Sequence, residues 1–338
     1  MRYGIYQYIS FTNFIFVINF SVMKKILQKT VLYIVRFIGL LPSTLVYYLF
    51  SFFAYITFIV DKKHRIRAME NIRSAFRNEM SEKEIKKSAY ESFRNMFLTF
   101  VEMCRIPRIK KKNLHKFIRF ENLEYFEEAY KRGKGVLFCT GHFGSWEIMP
   151  HCFALWHKPL HIVARPLDSD ILDGIVSYFR TYSGNRIIKK KNALKSMVKI
   201  LKSGEALGTL HDQNVKRREG IFVDFFGKEA CTSFAPAIIA IRTEAAIIPI
   251  YTVREGKNKF VMKLEKPIIP NTDNNRDDEI FKITQALTKS LEAIIRKYPG
   301  QWFWVHRRWK TKPKKNETEK ERRMRKIRRH INAEKRQS

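Results

Sequence analysis

Gly135-Val136-Leu137-Phe138-Cys139-Thr140 runs straight into Gly141-His142-Phe143-Gly144-Ser145-Trp146-Glu147. The first half is a short apolar run, the pattern of a buried strand, and the second is a polar turn whose two glycines permit a sharp change of direction. Working outward, similar runs predict strands at Leu160–Ala164, Ala206–Leu210, Ile221–Phe226, Ala246–Val253 and Phe260–Leu264. Between and after them, apolar residues at helical spacing predict helices over Asn192–Ser203, Ser233–Thr243 and Asp277–Tyr298, with Gly204 just past the end of the first. Such alternation, sustained from about residue 121 to 309, predicts an α/β fold built on a mixed, largely parallel sheet flanked by helices.

His142 stands at the end of the first strand, where loop residues that carry chemistry collect, and Glu147 follows five residues later. On an ideal helix that spacing sets two side chains about 140° apart, so the pair meets only across a turn. An imidazole takes a proton from a hydroxyl near neutral pH, and a carboxylate on its other nitrogen fixes the tautomer and stabilises the imidazolium. Spacing alone fits equally a polar loop holding a satisfied histidine. His151, His157 and His161 lack HExxH spacing and nearby cysteines, so no metal site is expected. The four cysteines are dispersed without a CxxC pair, which predicts reduced thiols in the core.

The N-terminal part has a different texture. Phe37 to Val60 contains no charged residue and is followed at once by Asp61-Lys62-Lys63-His64-Arg65-Ile66-Arg67. The run is long enough to cross a bilayer, and its basic flank would lie on the cytoplasmic side. Pro42 divides it, so a short helix, a loop and a longer helix lying in the membrane interface is the other reading. Residues 3–22 form a second uncharged stretch without a secretory cleavage site, and Met23-Lys24-Lys25 is a second plausible start. Ser81-Glu82-Lys83-Glu84 is a capping box opening a helix that runs toward Pro107. Arg108-Ile109-Lys110-Lys111-Lys112 follows, either a solvated linker or a contact with lipid headgroups. The last residues, 311–338, are rich in Lys and Arg and nearly devoid of large apolar side chains.

Across 338 residues the net charge is +33, while 45% of residues are hydrophobic, so a wholly disordered chain is excluded and a polyanionic partner is expected. Nucleic acid, an anionic membrane surface and an acidic protein all fit that charge.

Histidine followed by an acid in this manner after a buried strand resembles the glycerolipid acyltransferase signature. The Gly-His-x-Gly-x-Trp-Glu version, residues 141–147, resembles the late acyltransferases of bacterial lipid A assembly, the lauroyl/myristoyl transferase family. Further blocks agree in order: Asn71-Ile72-Arg73-Ser74-Ala75-Phe76, Val163-Ala164-Arg165-Pro166-Leu167-Asp168, Leu210-His211-Asp212-Gln213-Asn214, Gly220 to Gly227, Thr232 to Pro236, and Ile248-Pro249-Ile250-Tyr251. Ser145 stands where the family usually has Asn, and His211 where an apolar residue is usual.

The resemblance implies a glycerolipid acyltransferase-like fold with an N-terminal membrane-anchoring helix. Together with the composition of the two ends, this divides the chain into a possible extension at 1–22, a membrane anchor at 23–67, an acyltransferase domain at 68–310 and a basic tail at 311–338. It further implies transfer of a fatty acyl chain from acyl carrier protein to a hydroxyl of a lipid A precursor, on the cytoplasmic face of the inner membrane. In that reaction His142 is the general base assisted by Glu147, and backbone N–H groups near Gly144 or Thr232–Ser233 are the expected oxyanion donors. Arg165 is the expected phosphate contact or else a surface arginine capping a strand, Asp212 and Gln213 belong to the substrate site or close a turn, and Asp224 is structural or supports the site from behind. No cofactor or metal is implied, the acyl carrier protein thioester being a substrate. The expected partners are then that acidic carrier, a phosphorylated lipid acceptor and an anionic membrane surface, with no nucleic acid.

Other readings are an acyltransferase for a different glycolipid or an aminolipid, a membrane-anchored nucleic-acid-binding protein, and a non-catalytic lipid-binding scaffold. Trp302, Trp304 and Trp309 with Arg307-Arg308 read either as a membrane-level belt or, for the first two, as core.

Overall fold

The computed structural model describes residues 23, 26–189 and 193–313. The stretch at 3–22 and nearly all of the basic tail therefore lie outside the described residues. In chain order the elements begin with four helices, α1 (26–40), α2 (Ser43–Val60), α3 (Lys62–Phe76) and α4 (Glu82–Cys104). There follow β1 (Ile118–Glu121), α5 (Glu124–Lys131), β2 (Val136–Thr140), α6 (Met149–Trp156), β3 (His161–Ala164), α7 (Asp170–Thr181), β4 (Arg186–Lys189), α8 (Ala193–Lys202) and β5 (Ala206–Leu210). The chain continues with β6 (Gly220–Phe225), β7 (Lys228–Ser233), α9 (Ala235–Thr243), β8 (Ala246–Gly256), β9 (Lys259–Leu264) and α10 (Arg276–Lys297).

Seven strands form one sheet in the order β1-β9-β8-β2-β5-β3-β4. All neighbours are parallel except β8 and β9, which pair antiparallel. The alternation of strand and helix in the sequence leads to this result, because a parallel neighbour needs a crossover and the helices supply it. β2, fully buried, shows why the sheet is covered twice. Val136 and Phe138 join a core with Phe126, Phe153 and Ile248, while Leu137 and Cys139 join another with Met197, Leu207 and Ile238. Successive side chains of a strand point to opposite faces, and both faces here meet helices. Each such large side chain contributes roughly 1.5–3 kcal/mol by leaving water.

Short elements at the margins are where the sequence reading is incomplete. β1 and β4 are four-residue strands at the two sheet edges, each carrying charged residues, and neither shows an apolar run. β6 and β7 form a separate antiparallel hairpin. The expected capping box is present, with Ser81 and Glu84 satisfying each other's backbone N–H, and α4 ends at Cys104 ahead of Pro107. All four cysteines are buried thiols outside any disulfide. Trp302 and Trp304 are buried and in edge-to-face contact 4.6 Å apart, so for this pair core packing, not a membrane belt, is the outcome.

Candidate active site

β2 and β5 are parallel neighbours in a register that sets Thr140 opposite Leu210. Two residues beyond those strand ends come His142 and Asp212, brought side by side at the carboxyl edge of the sheet, where open α/β sheets hold their ligands. One Asp212 oxygen accepts the His142 backbone N–H at 2.8 Å, and the other lies 2.9 Å from His142 Nδ1. Trp302 Nε1–H donates to the same carboxylate at 3.0 Å. Burial by itself would raise the Asp212 pKa, but the imidazole and these N–H donors hold it well below the usual carboxylate range. Burial likewise works against a charged His142, yet the charge of Asp212 and its hydrogen bond outweigh that and raise the imidazole pKa above its ordinary value. An ionised carboxylate only accepts, so Nδ1 carries the proton and Nε2 is left as the basic nitrogen.

Glu147, expected on the imidazole, goes elsewhere. It forms a two-pronged ion pair with Arg180 of α7, at 2.6 and 2.9 Å, and accepts the Trp146 indole N–H at 3.2 Å. The carboxylate on His142 Nδ1 is Asp212. The turn at 141–145 separates the directions of the two motif side chains, and the register of β5 fills the place beside the ring. Burial would raise the Glu147 pKa, and Arg180, with a smaller contribution from His142, pulls it below the ordinary range.

The turn itself is clamped from four sides. Gly144 N–H donates to Gln301 O, Ser145 N–H to Thr252 O, and Phe303 N–H to His142 O, at 2.8, 2.9 and 3.1 Å. From α4, Asn95 and Thr99 both donate to Gly144 O. Asn95 and Thr99 are in turn held by Arg254, whose guanidinium also makes a buried ion pair with Glu102 at 2.5 Å. Gly144 has φ +56°, and a Cβ there would sit 1.8 Å from Thr252 O, so only glycine fits.

Because the Gly144 and Ser145 N–H groups are spent on these bonds, the expected oxyanion donors at Gly144 are not free to act. The Thr232 hydroxyl accepts from buried Arg308, whose pKa burial pushes down to about 10.

His142 opens on a cavity of about 410 Å³. One part of its wall is polar, with Glu147, Arg180, Arg165 and Gln213. Another is apolar, with Phe138, Met149, Phe153, Leu160, Ile162 and Ile250. Arg165 is exposed on the rim, 3.8 Å from the carboxylate of Asp168. Thus the structure gathers His142, Glu147, Arg165 and Gln213 around one space and sets Asp212 behind the histidine. Asp224 lies apart from it, paired with Lys289 of α10 at 2.8 Å.

Sequence reasoning missed Arg180 and the role of the Trp302 indole. Arg180 sits in the last turn of a helix 33 residues from its partner, with no local signal beyond an unclaimed arginine. Trp302 was legible only as a large aromatic residue.

Comparison with known proteins now gives the class. The chain is 26% identical to a lipid A biosynthesis lauroyltransferase of Escherichia coli (strain K12), over 70% of this chain and 76% of that protein. It is 26% identical to a lipid A biosynthesis palmitoleoyltransferase of the same organism, over 75% and 80%. It is 24% identical to a phosphatidylinositol mannoside acyltransferase of Mycolicibacterium smegmatis, over 62% and 67%. These are acyltransferases, and so is this protein. Residues 14–311 match the model of the bacterial lipid A biosynthesis acyltransferases, and the chain belongs to that family, whose acceptors are lipids.

Proposed function

We propose that the protein moves a fatty acyl chain from the thioester of an acyl carrier protein to a hydroxyl of a lipid A precursor, working on the cytoplasmic face of the inner membrane. The observation that carries this reading is a histidine whose Nδ1 is committed to Asp212 and whose ring borders a cavity with both polar and apolar walls. In the reaction, His142 Nε2 takes the acceptor's hydroxyl proton as the oxygen attacks the thioester carbonyl. A new C–O bond forms, the tetrahedral intermediate collapses with cleavage of C–S, and the imidazolium returns its proton to the departing thiolate. Asp212 stabilises the imidazolium.

Glu147 keeps the Arg180 guanidinium fixed beside the ring. The apolar wall suits an acyl chain, and Arg165 on the rim suits an acceptor phosphate, since a guanidinium binds phosphate through two parallel bonds. A body this basic would also draw in an acidic carrier.

A second acceptor class is favoured by one finding, the likeness to a phosphatidylinositol mannoside acyltransferase. The test uses full-length wild type and His142→Ala with an acyl carrier protein thioester, offered either a tetra-acylated lipid A precursor or a phosphatidylinositol mannoside. Wild type is expected to acylate the lipid A precursor, and His142→Ala to lose at least about a thousandfold in kcat. Transfer only to the mannoside would move the acceptor to the other glycolipid class. Unchanged turnover in His142→Ala would sink the mechanism.

A further inference from the structure

Among the described residues α2 is the one helix long and apolar enough to cross a membrane. Eighteen residues at 1.5 Å each give about 27 Å, close to the thickness of a hydrocarbon core. Its surroundings tell against crossing. α2 lies antiparallel along α4, and charged groups of the protein body meet it at every level. At its entry, Arg105 and Arg108 donate to the carbonyls of Leu41 and Leu40 at 2.7 and 3.0 Å. One turn on, the Tyr47 hydroxyl donates to Glu102 at 2.7 Å, and the Lys257 ammonium sits 4.2 Å from the ring centre of Tyr48.

At mid-helix Arg94 donates to the Ser51 hydroxyl at 2.9 Å, and at the exit Arg65 donates to Ile59 O at 2.9 Å. If α2 spanned a bilayer, these ions, together with Arg254 on Glu102, would be carried into hydrocarbon, where each is strongly unfavourable.

The opposite side of the same helix is bare and apolar. Tyr48, Phe52, Phe53, Tyr55, Ile56 and Val60 are all exposed. α1 continues the strip beyond the bend at Pro42, with Ile26, Leu27, Tyr33, Ile34, Phe37 and Leu40 exposed in turn. An apolar strip of this extent on a folded surface marks an interaction face. Exposed cations flank it: Lys29 and Arg36 on α1, Lys62 and Lys63 past α2, and Lys257 beside Tyr48.

We infer that α1 and α2, joined at the bend before Pro42, lie flat in the interface of an anionic bilayer, entering one leaflet with their bare side and crossing nothing. The cations meet lipid phosphates while the aromatic residues sit at headgroup depth. This inference rests on the membrane location proposed above but not on the reaction. It also places the active site. Gln28 of α1 packs against Gly174 of α7, and α7 follows directly on the Arg165–Asp168 segment that borders the cavity. The cavity rim is thereby held next to the leaflet, and a lipid acceptor reaches His142 by lateral movement without leaving the membrane.

The test uses the full chain carrying Lys29→Cys or Lys62→Cys, since the four natural thiols are buried. A membrane-impermeant maleimide is applied to sealed membrane vesicles of both orientations. Two helices lying flat give labelling of both positions from the same side. Labelling from opposite sides would show that α2 crosses and would overturn the inference.

In a second measurement, Phe52→Asp with Phe53→Asp is mixed with vesicles of phosphatidylethanolamine and phosphatidylglycerol. Both residues are exposed, so the fold is retained, as circular dichroism checks. Binding is expected to fall at least tenfold relative to wild type, and wild type is expected to bind phosphatidylcholine vesicles more weakly. Unchanged binding overturns the inference, as does wild type that ignores vesicles and instead forms a dimer broken by these substitutions. Acyl transfer is measured separately with detergent-dispersed substrate, so failure of the reaction and failure of docking are told apart.

Discussion

Two ion pairs stand within one short turn of chain, and they are built differently. At the corner where β2 and β5 end, His142 meets Asp212, a carboxylate that is almost wholly buried and that takes three N–H donors. On the cavity wall, Glu147 meets Arg180, both partly open to the space. The first pair joins two adjacent parallel strands, whose register fixes the partners. The second joins a turn to a helix terminus and is fixed by side-chain reach alone. The contrast teaches that the acid five residues after the histidine need not be the acid that works on it. In this site one carboxylate holds the imidazole and the other fixes a cation beside it.

Substitution of each carboxylate is the strongest way to break that contrast. Asp212→Asn keeps the volume but offers an N–H₂ where acceptors are needed, so the imidazole loses its orientation. A kcat loss of about a thousandfold is expected from steady-state assays. The pH profile adds a sign. The base form of His142 is lost as pH falls through its raised pKa, so the acid limb of wild type lies above the value for an ordinary histidine. Without Asp212's charge, burial dominates and that limb moves to lower pH.

Glu147→Gln leaves Arg180 unpaired on the cavity wall. We expect a kcat loss of about a hundredfold with a smaller movement of the acid limb, and a stability loss of about 3–5 kcal/mol by denaturant titration. Much of this loss is expected to return in the double substitution with Arg180→Gln, because the two residues act as one unit. Should Glu147→Gln cost more activity than Asp212→Asn and move the acid limb further, the assignment of the two carboxylates would be reversed. The smallest effect is expected from Trp302→Phe, which removes one of three donors to Asp212 while keeping the aromatic packing. It should lower kcat by less than about tenfold and destabilise the fold by about 1.5–3 kcal/mol, the usual worth of a hydrogen bond to a charged group.

How much of this was legible beforehand differs by element. Strands β2, β5, β8 and β9 are legible because each contains a run of at least three buried residues, and β5 falls at Ala206–Leu210 as expected. The helix at Ser81 was legible because its capping box is local chemistry. β1 and β4, short and at the edges, carry charges that hide them, and the helices α5, α6 and α7 were not read at all. In the site, His142 and Glu147 were found by their place after a strand, and Arg165 and Gln213 through the resemblance. Asp212 was named too, but for the substrate site, with its alternative being a turn.

By itself the amino-acid sequence determined the α/β class, the position of His142 after a buried strand, the basic character and the apolar stretch at 37–60. Those depend on residue type and on periodicity along the chain. Only the tertiary structure decided which carboxylate meets the imidazole, that the turn's N–H groups at 144 and 145 are already used, and which side of α2 is bare. Each of these is a pairing between residues tens to hundreds of positions apart. A hydrogen bond at 2.9 Å is set by strand register and helix packing, neither of which leaves a mark at the two residues that finally meet.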